Sequence, residues 1–118
     1  MAKMLHPEKR VVCVVGDGGL MMNLGDLETV VKSGLDMVII VLNDNAYGMI
    51  KRKQRHMGFS DFALDLKNPD FGKLADAFGA HYMKVEKADI FSDTVSKGMR
   101  QKGITLIEVL FEYPDDVE

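Results

Sequence analysis

Two short apolar runs, Val11–Val15 and Met37–Leu42, constrain the fold more than any other feature of the chain. Both are continuous rather than alternating, and both are rich in β-branched residues, the pattern of strands buried on both faces of a parallel sheet. The interval between them holds Leu27, Val30 and Val31 at the spacing of one helix face. Asn23 stands where a helix cap is needed, Asp26 lies three residues on, and Gly34 takes the stop position. Strand, helix and strand together predict a right-handed βαβ crossover.

The punctuation continues downstream. After a loop at Asn43–Gly48, Met49 to Arg55 reads as a short helix and Phe59 to Lys67 as irregular chain. Asn68-Pro69 is expected to open the next helix, with Asn as cap and Pro in the first turn; its apolar face is Phe71, Leu74, Ala75 and Phe78, and Gly79 ends it. His81–Val85 reads as a strand and residues 89–102 as a helix showing Phe91, Val95 and Met99, stopped by Gly103. Ile104–Leu110 is the last strand. The prediction is one α/β domain over residues 1–118, doubly wound, with a mostly parallel sheet and helices on both faces. Residues 112–118 are acidic and expected to fray.

With 118 residues, 47% of them apolar, the chain can bury one small core. Its net charge of -3 argues against a nucleic-acid surface, and the basic cluster Lys51, Arg52, Lys53 and Arg55 reads as a solvated helix face, with an anion-attracting lip on a ligand cleft as the second reading. No apolar run approaches the roughly 18 residues of a membrane span, and the N-terminus lacks the apolar centre of a signal peptide. Cys13 is the single cysteine, so no internal disulfide can form; a reducing, cytoplasmic setting is expected. Inside its apolar run Cys13 reads as a small core residue, and most of the nine methionines as gap fillers of the core. His56 and His81 read as solvated or capping side chains.

Each of the first two strands delivers a carboxylate at its C-terminal end: Asp17 in Gly16-Asp17-Gly18-Gly19, and Asp44 in Asn43-Asp44-Asn45. Ligands of open parallel α/β sheets bind in that crevice. Taken singly, each Asp also suits an ordinary turn. As a pair on neighbouring strands they would repel unless a cation lay between them. Mg²⁺ takes one or two carboxylates plus substrate phosphates, and Gly18 and Gly19 would leave amides free to meet those phosphates. Two other readings compete. A dinucleotide-binding Rossmann turn would need a glycine where Met21 stands, and a phospho-receiver module would need an acidic neighbour beside Asp17.

Asp44 follows Asp17 by 27 residues, and the flanking text reads Gly-Asp-Gly-Gly-Leu-Met-Met-Asn and Leu-Asn-Asp-Asn-Ala-Tyr-Gly-Met-Ile. This resembles the thiamine diphosphate signature of GDG, a spacer in the mid-twenties, and Asn-Asn. From Pro7 to about Val109 the chain is similar to the C-terminal, diphosphate-binding domain of the acetolactate synthase-like family. The resemblance implies a cofactor, thiamine diphosphate, and a metal, Mg²⁺. It implies Asp17, Asp44 and the Ala46 carbonyl as metal ligands, with Asp44 standing where most members carry Asn. Gly16, Gly18, Gly19, Asn43, Gly48 and Met49 would lie along the cofactor, and Ile50 would face the substrate pocket.

The implied reaction is decarboxylation of a 2-oxo acid with or without carboligation, the work of a lyase or transferase whose carbon chemistry belongs to the cofactor. No catalytic residue is expected in this chain, because the family's glutamate comes from a pyrimidine-binding domain, usually of a second subunit. The family's domain also begins several tens of residues further upstream. The chain therefore reads as a fragment of a larger enzyme, a homo-oligomer when whole, and without turnover alone. Apolar surface left uncovered by the missing parts is expected to promote self-association. Carrier of the substrate pocket's remainder, and hence of specificity, would be the other domains.

Overall fold

The computed structural model describes residues 1–112. Strands β1 (Val11–Gly16), β2 (Met37–Asn43), β3 (His81–Val85) and β4 (Ile104–Leu110) form a parallel sheet in the order β1-β2-β4-β3. The helices are α1 (Ala2–Leu5), α2 (Asp17–Met22), α3 (Leu24–Lys32), α4 (Gly48–His56), α5 (Phe71–Ala77) and α6 (Phe91–Gly98), the last entered through a 3₁₀ turn at Ala88–Ile90.

Side-chain alternation along the strands divides the core in two. On one face, Ile39, Val41, Ile104 and Leu106 meet Leu20 of α2, Leu27 of α3, and Phe71 and Ala75 of α5. On the other, Val38, Ile40, Val85 and Ile107 pack with Val95 of α6 and the adjoining Met99. Helices thus cover both faces, as the doubly wound reading predicts. Val41, Leu106 and Ile107 are completely buried in the central strands β2 and β4. Each such side chain contributes about 1.5–3 kcal/mol by leaving water.

β1 departs from expectation. It is an edge strand, paired only with β2 among the described residues. Val12 is 38% and Val14 61% exposed. Cys13 is exposed too, so it is no core residue. For Val12 and Val14, register partners of Val38 and Ile40, the reason is lateral position: α6 covers their face of the sheet at β3 and β4. The methionine reading also fails. Met1, Met4, Met22, Met49 and Met57 are exposed, and Met21, Met37, Met83 and Met99 only flank the two cores.

Other differences are local. Asp17-Gly18-Gly19, read as part of a turn, open α2, and neither α2 nor α1 has a counterpart in the sequence reading. Asn23 does precede α3, but its side chain caps nothing; Nδ2 donates back to the Gly19 carbonyl at 3.1 Å. Gly34 ends α3's turn at φ +61, a backbone region that favours glycine. α6 stops at Gly98, four residues short of its expected end. Of the tail expected to fray, residues 113–118 lie outside the described residues.

Candidate functional site

The C-terminal ends of β1 and β2, paired through Gly16 and Leu42, carry Asp17 and Asp44 to one rim of the sheet. Asp17 opens α2 and is only 2% exposed. Its Oδ1 accepts from the Gly18 N–H at 2.8 Å and its Oδ2 from Asn68 Nδ2 at 2.5 Å. Asp44 is half-buried, with Oδ1 accepting from the Ala46 N–H at 3.2 Å. Burial pushes the Asp44 carboxyl above its ordinary range; the Ala46 N–H pulls it partly back, and the charge of Asp17 raises it again. The two carboxylates are therefore electrostatic neighbours.

The loop after β2 is shaped by backbone. Asn45 adopts φ +54, a conformation that Asn tolerates better than most side chains. Ala46 then pairs with Asp65 in an isolated antiparallel bridge. Its two bonds, Tyr47 N–H to the Leu64 carbonyl (2.8 Å) and Leu66 N–H to the Asn45 carbonyl (2.7 Å), bracket Ala46 and leave its own carbonyl out.

Gly16 faces open space, whereas a Cβ on Gly18 would lie 2.7 Å from Cε1 of Tyr47. The Tyr47 ring thus packs directly on the backbone of the Gly18 turn. Gly19 is closed off by Val15, whose Cγ2 would stand 3.1 Å from an added Cβ. Gly48, Met49 and Ile50 form the first turn of α4, and the side chains of Met49 and Ile50 are 64% and 49% exposed.

Asn43 is buried and engaged within the chain. Its Nδ2 donates to Glu108 Oε1 at 2.6 Å, while Oδ1 accepts from the Asn45 N–H at 3.1 Å and from Asn68 Nδ2 at 3.0 Å. Asn68 Nδ2 also approaches Asn45 Oδ1 at 3.4 Å. Asn68 was read from sequence as a helix cap, and that reading is corrected: the cap of α5 is Asp70, whose side chain accepts from the Lys73 N–H at 3.0 Å. Freed from capping, the Asn68 amide bridges Asp17 and Asn43. Glu108 was likewise not singled out; its signal is a lone carboxylate inside the apolar run Ile104–Leu110.

The two acidic side chains at the rim, Asp17 and Asp44, offer oxygen donors. That set suits a hard divalent cation. No group of three or more His, Cys, Asp or Glu side chains able to hold a metal occurs among the described residues, so a cation here would need backbone and ligand oxygens to fill its shell. The basic face of α4 is partly matched by acid: Arg55 pairs with Asp61 at 2.9 Å, and Lys51 lies 3.7 Å from Asp61. His56 and His81 are both exposed, the latter with Nε2 at 3.1 Å from the Lys102 carbonyl. A cavity of about 280 Å³ opens beside Arg10, Asp36 and Arg100, at the opposite end of the strands, and includes none of the expected site residues.

The family model described as "Thiamine pyrophosphate enzyme, C-terminal TPP binding domain" matches residues 1–109. The acetolactate synthase of Bacillus subtilis (strain 168) is 35% identical over 98% of this chain, which spans 20% of that protein. The acetolactate synthase large subunit of Haemophilus influenzae is 39% identical over 74% of the chain and 16% of its own length. Among solved structures, the Rhodococcus jostii RHA1 thiamine diphosphate-dependent 4-hydroxybenzoylformate decarboxylase superposes with a TM-score of 0.88 at 25% identity, over 98% of this chain and 22% of that one. The chain thus spans about a fifth of the length of these relatives.

Proposed function

The chain belongs to the family of C-terminal thiamine pyrophosphate-binding domains, and from that premise we propose that it anchors the diphosphate of thiamine diphosphate through Mg²⁺ in an acetolactate synthase-like enzyme acting on 2-oxo acids. The observation that carries this reading is the pair of coupled carboxylates, Asp17 and Asp44, brought to one rim from strands that are neighbours in the sheet. A dication between them removes the repulsion and lets Asp44 stay ionised.

In this reading Asp17, Asp44 and the Ala46 carbonyl hold the cation. The first turn of α2, with Gly16 open on its outer side and Gly18 and Gly19 behind, receives the diphosphate oxygens. Tyr47 holds that turn in place by packing on Gly18. Asn43 lies beside the cofactor as a frame rather than as a contact group, because both ends of its amide are already bonded. Gly48 and Met49 line the approach, and Ile50 faces the substrate. When bound, thiamine diphosphate supplies the carbanion chemistry of decarboxylation and carboligation. Pyrimidine binding, the rest of the substrate pocket and subunit pairing are assigned to other parts of a longer, homo-oligomeric, cytoplasmic protein. The 118-residue chain by itself is assigned no turnover of 2-oxo acids.

The test is calorimetric titration of thiamine diphosphate into the full-length polypeptide that carries this domain, with and without Mg²⁺, for the wild type and Asp17→Ala. Mg²⁺-dependent binding lost in Asp17→Ala is the expected outcome. Equal binding without Mg²⁺, or an Asp17→Ala variant that binds like the wild type, would sink the assignment.

A further inference from the structure

Glu108 is a carboxylate only 7% exposed in the middle of the sheet's carboxyl end, and the reading above gives it no task. A buried charge is retained only where its oxygens are satisfied. Its register partner on β3, Lys84, does not serve it, because the Lys84 ammonium pairs with Glu86 at 3.1 Å. Two neutral donors do. Tyr82, its diagonal neighbour on β3, donates its hydroxyl to Oε2. Asn43, its diagonal neighbour on β2, donates Nδ2 to Oε1 at 2.6 Å.

The second bond has a directional consequence. With Nδ2 held by Glu108, the Asn43 carbonyl Oδ1 must face the loop. There it accepts from the Asn45 N–H and from Asn68 Nδ2, and Asn68 in turn donates to Asp17 Oδ2. A flipped Asn43 amide would set its carbonyl against the Glu108 carboxylate and its NH₂ against the Asn45 N–H and Asn68 Nδ2, losing three hydrogen bonds. The hydrogen bonds therefore run without a break from Tyr82 of β3 through Glu108 of β4, Asn43 of β2 and Asn68 to Asp17, the residue after β1.

We propose that Glu108 is a positioning residue of the thiamine diphosphate site: its carboxylate fixes the sense of the Asn43 amide, and through it the Asp17 carboxylate and the Asp44-Asn45-Ala46 turn. This rests on the functional reading above. Groups that orient metal ligands from behind typically change metal affinity about 10–100-fold when removed, so Glu108→Ala should weaken Mg²⁺-dependent cofactor binding by at least about tenfold. Glu108→Gln can still accept from Asn43 and donate to the Tyr82 oxygen, and should restore most of the affinity.

The experiment measures Mg²⁺ and thiamine diphosphate affinity calorimetrically in the full-length polypeptide for Glu108→Ala, Glu108→Gln, Asn43→Ala and the Glu108→Ala/Asn43→Ala double variant, with Tm recorded for each. If Glu108 acts through Asn43, the double variant binds no more weakly than Asn43→Ala. Additive losses overturn the proposal, as does a fall in Tm with unchanged affinity. Should Glu108→Ala fail to fold, the wild-type side-chain amide of Asn43, followed by NMR without cofactor, decides: slow hydrogen exchange supports the lock, and exchange at the rate of a free amide overturns it. A wild type that binds no cofactor sinks the functional reading and this inference with it. A wild type that binds alongside an unimpaired Glu108→Ala sinks this inference alone.

Discussion

Gly18 and Tyr82 show how much a single side chain can decide here. A methyl group on Gly18 would come 2.7 Å from a ring carbon of Tyr47, far inside contact distance. Gly18→Ala should destabilise the chain by about 1–3 kcal/mol through overpacking. In urea unfolding, Gly18→Ala/Tyr47→Ala should lose less than the two single variants summed, because removing the ring removes the clash. At Tyr82, burial first and the Glu108 hydrogen bond second hold the phenol well above its ordinary value of 10.0. Above that value the unfolded chain releases a proton that the folded chain keeps. The contribution is fully present below it and is lost as pH rises through the folded value. Stability measured by urea unfolding from pH 8 upward should therefore fall in the alkaline limb, and less steeply in Tyr82→Phe.

At the scale of elements, the segment Asn68-Pro69-Asp70 offers two candidate caps for one helix. Sequence rules favour Asn before Pro, yet Asp70 caps α5 and Asn68 goes to the site. Losing a cap costs about 1 kcal/mol. Asp70→Ala should lower stability by roughly that amount and expose the Lys73 amide to hydrogen exchange. Asn68→Ala should leave Lys73 protected while loosening Asp17. The reverse pattern would restore Asn68 as the cap. Strand positions were more legible than helix ends: β3 and β4 have the bounds their apolar runs predict, and β2 runs one residue further. α2 was missed because two glycines in its first turn read as loop, although Leu20 buries against the sheet and holds the turn helical.

For the whole molecule, the informative fact is the sheet order. β1 and β2 are both continuous apolar runs, but of the two only β2 has neighbours on both sides among the described residues. Cys13, placed on the edge strand, should react with a thiol reagent in the native chain at a rate comparable to that of the urea-unfolded chain. A core thiol would wait for unfolding, and slow labelling would return Cys13 to the interior. The same edge strand also carries the exposed side chains of Val12 and Val14.

Local sequence decides which segments leave water and where the chain must turn, because periodicity, β-branching and glycine placement act over a few residues. It also placed Asp17 and Asp44 at strand ends with the spacing that marks the family. The lateral order of the strands, and so which apolar run stays exposed, was set by long-range packing alone. The same packing joined Asn43 to Glu108 and Asn68 to Asp17, partners 65 and 51 residues apart. Burial and hydrogen-bond partnership depend on what covers a residue from elsewhere in the chain, and local pattern carries no record of that cover.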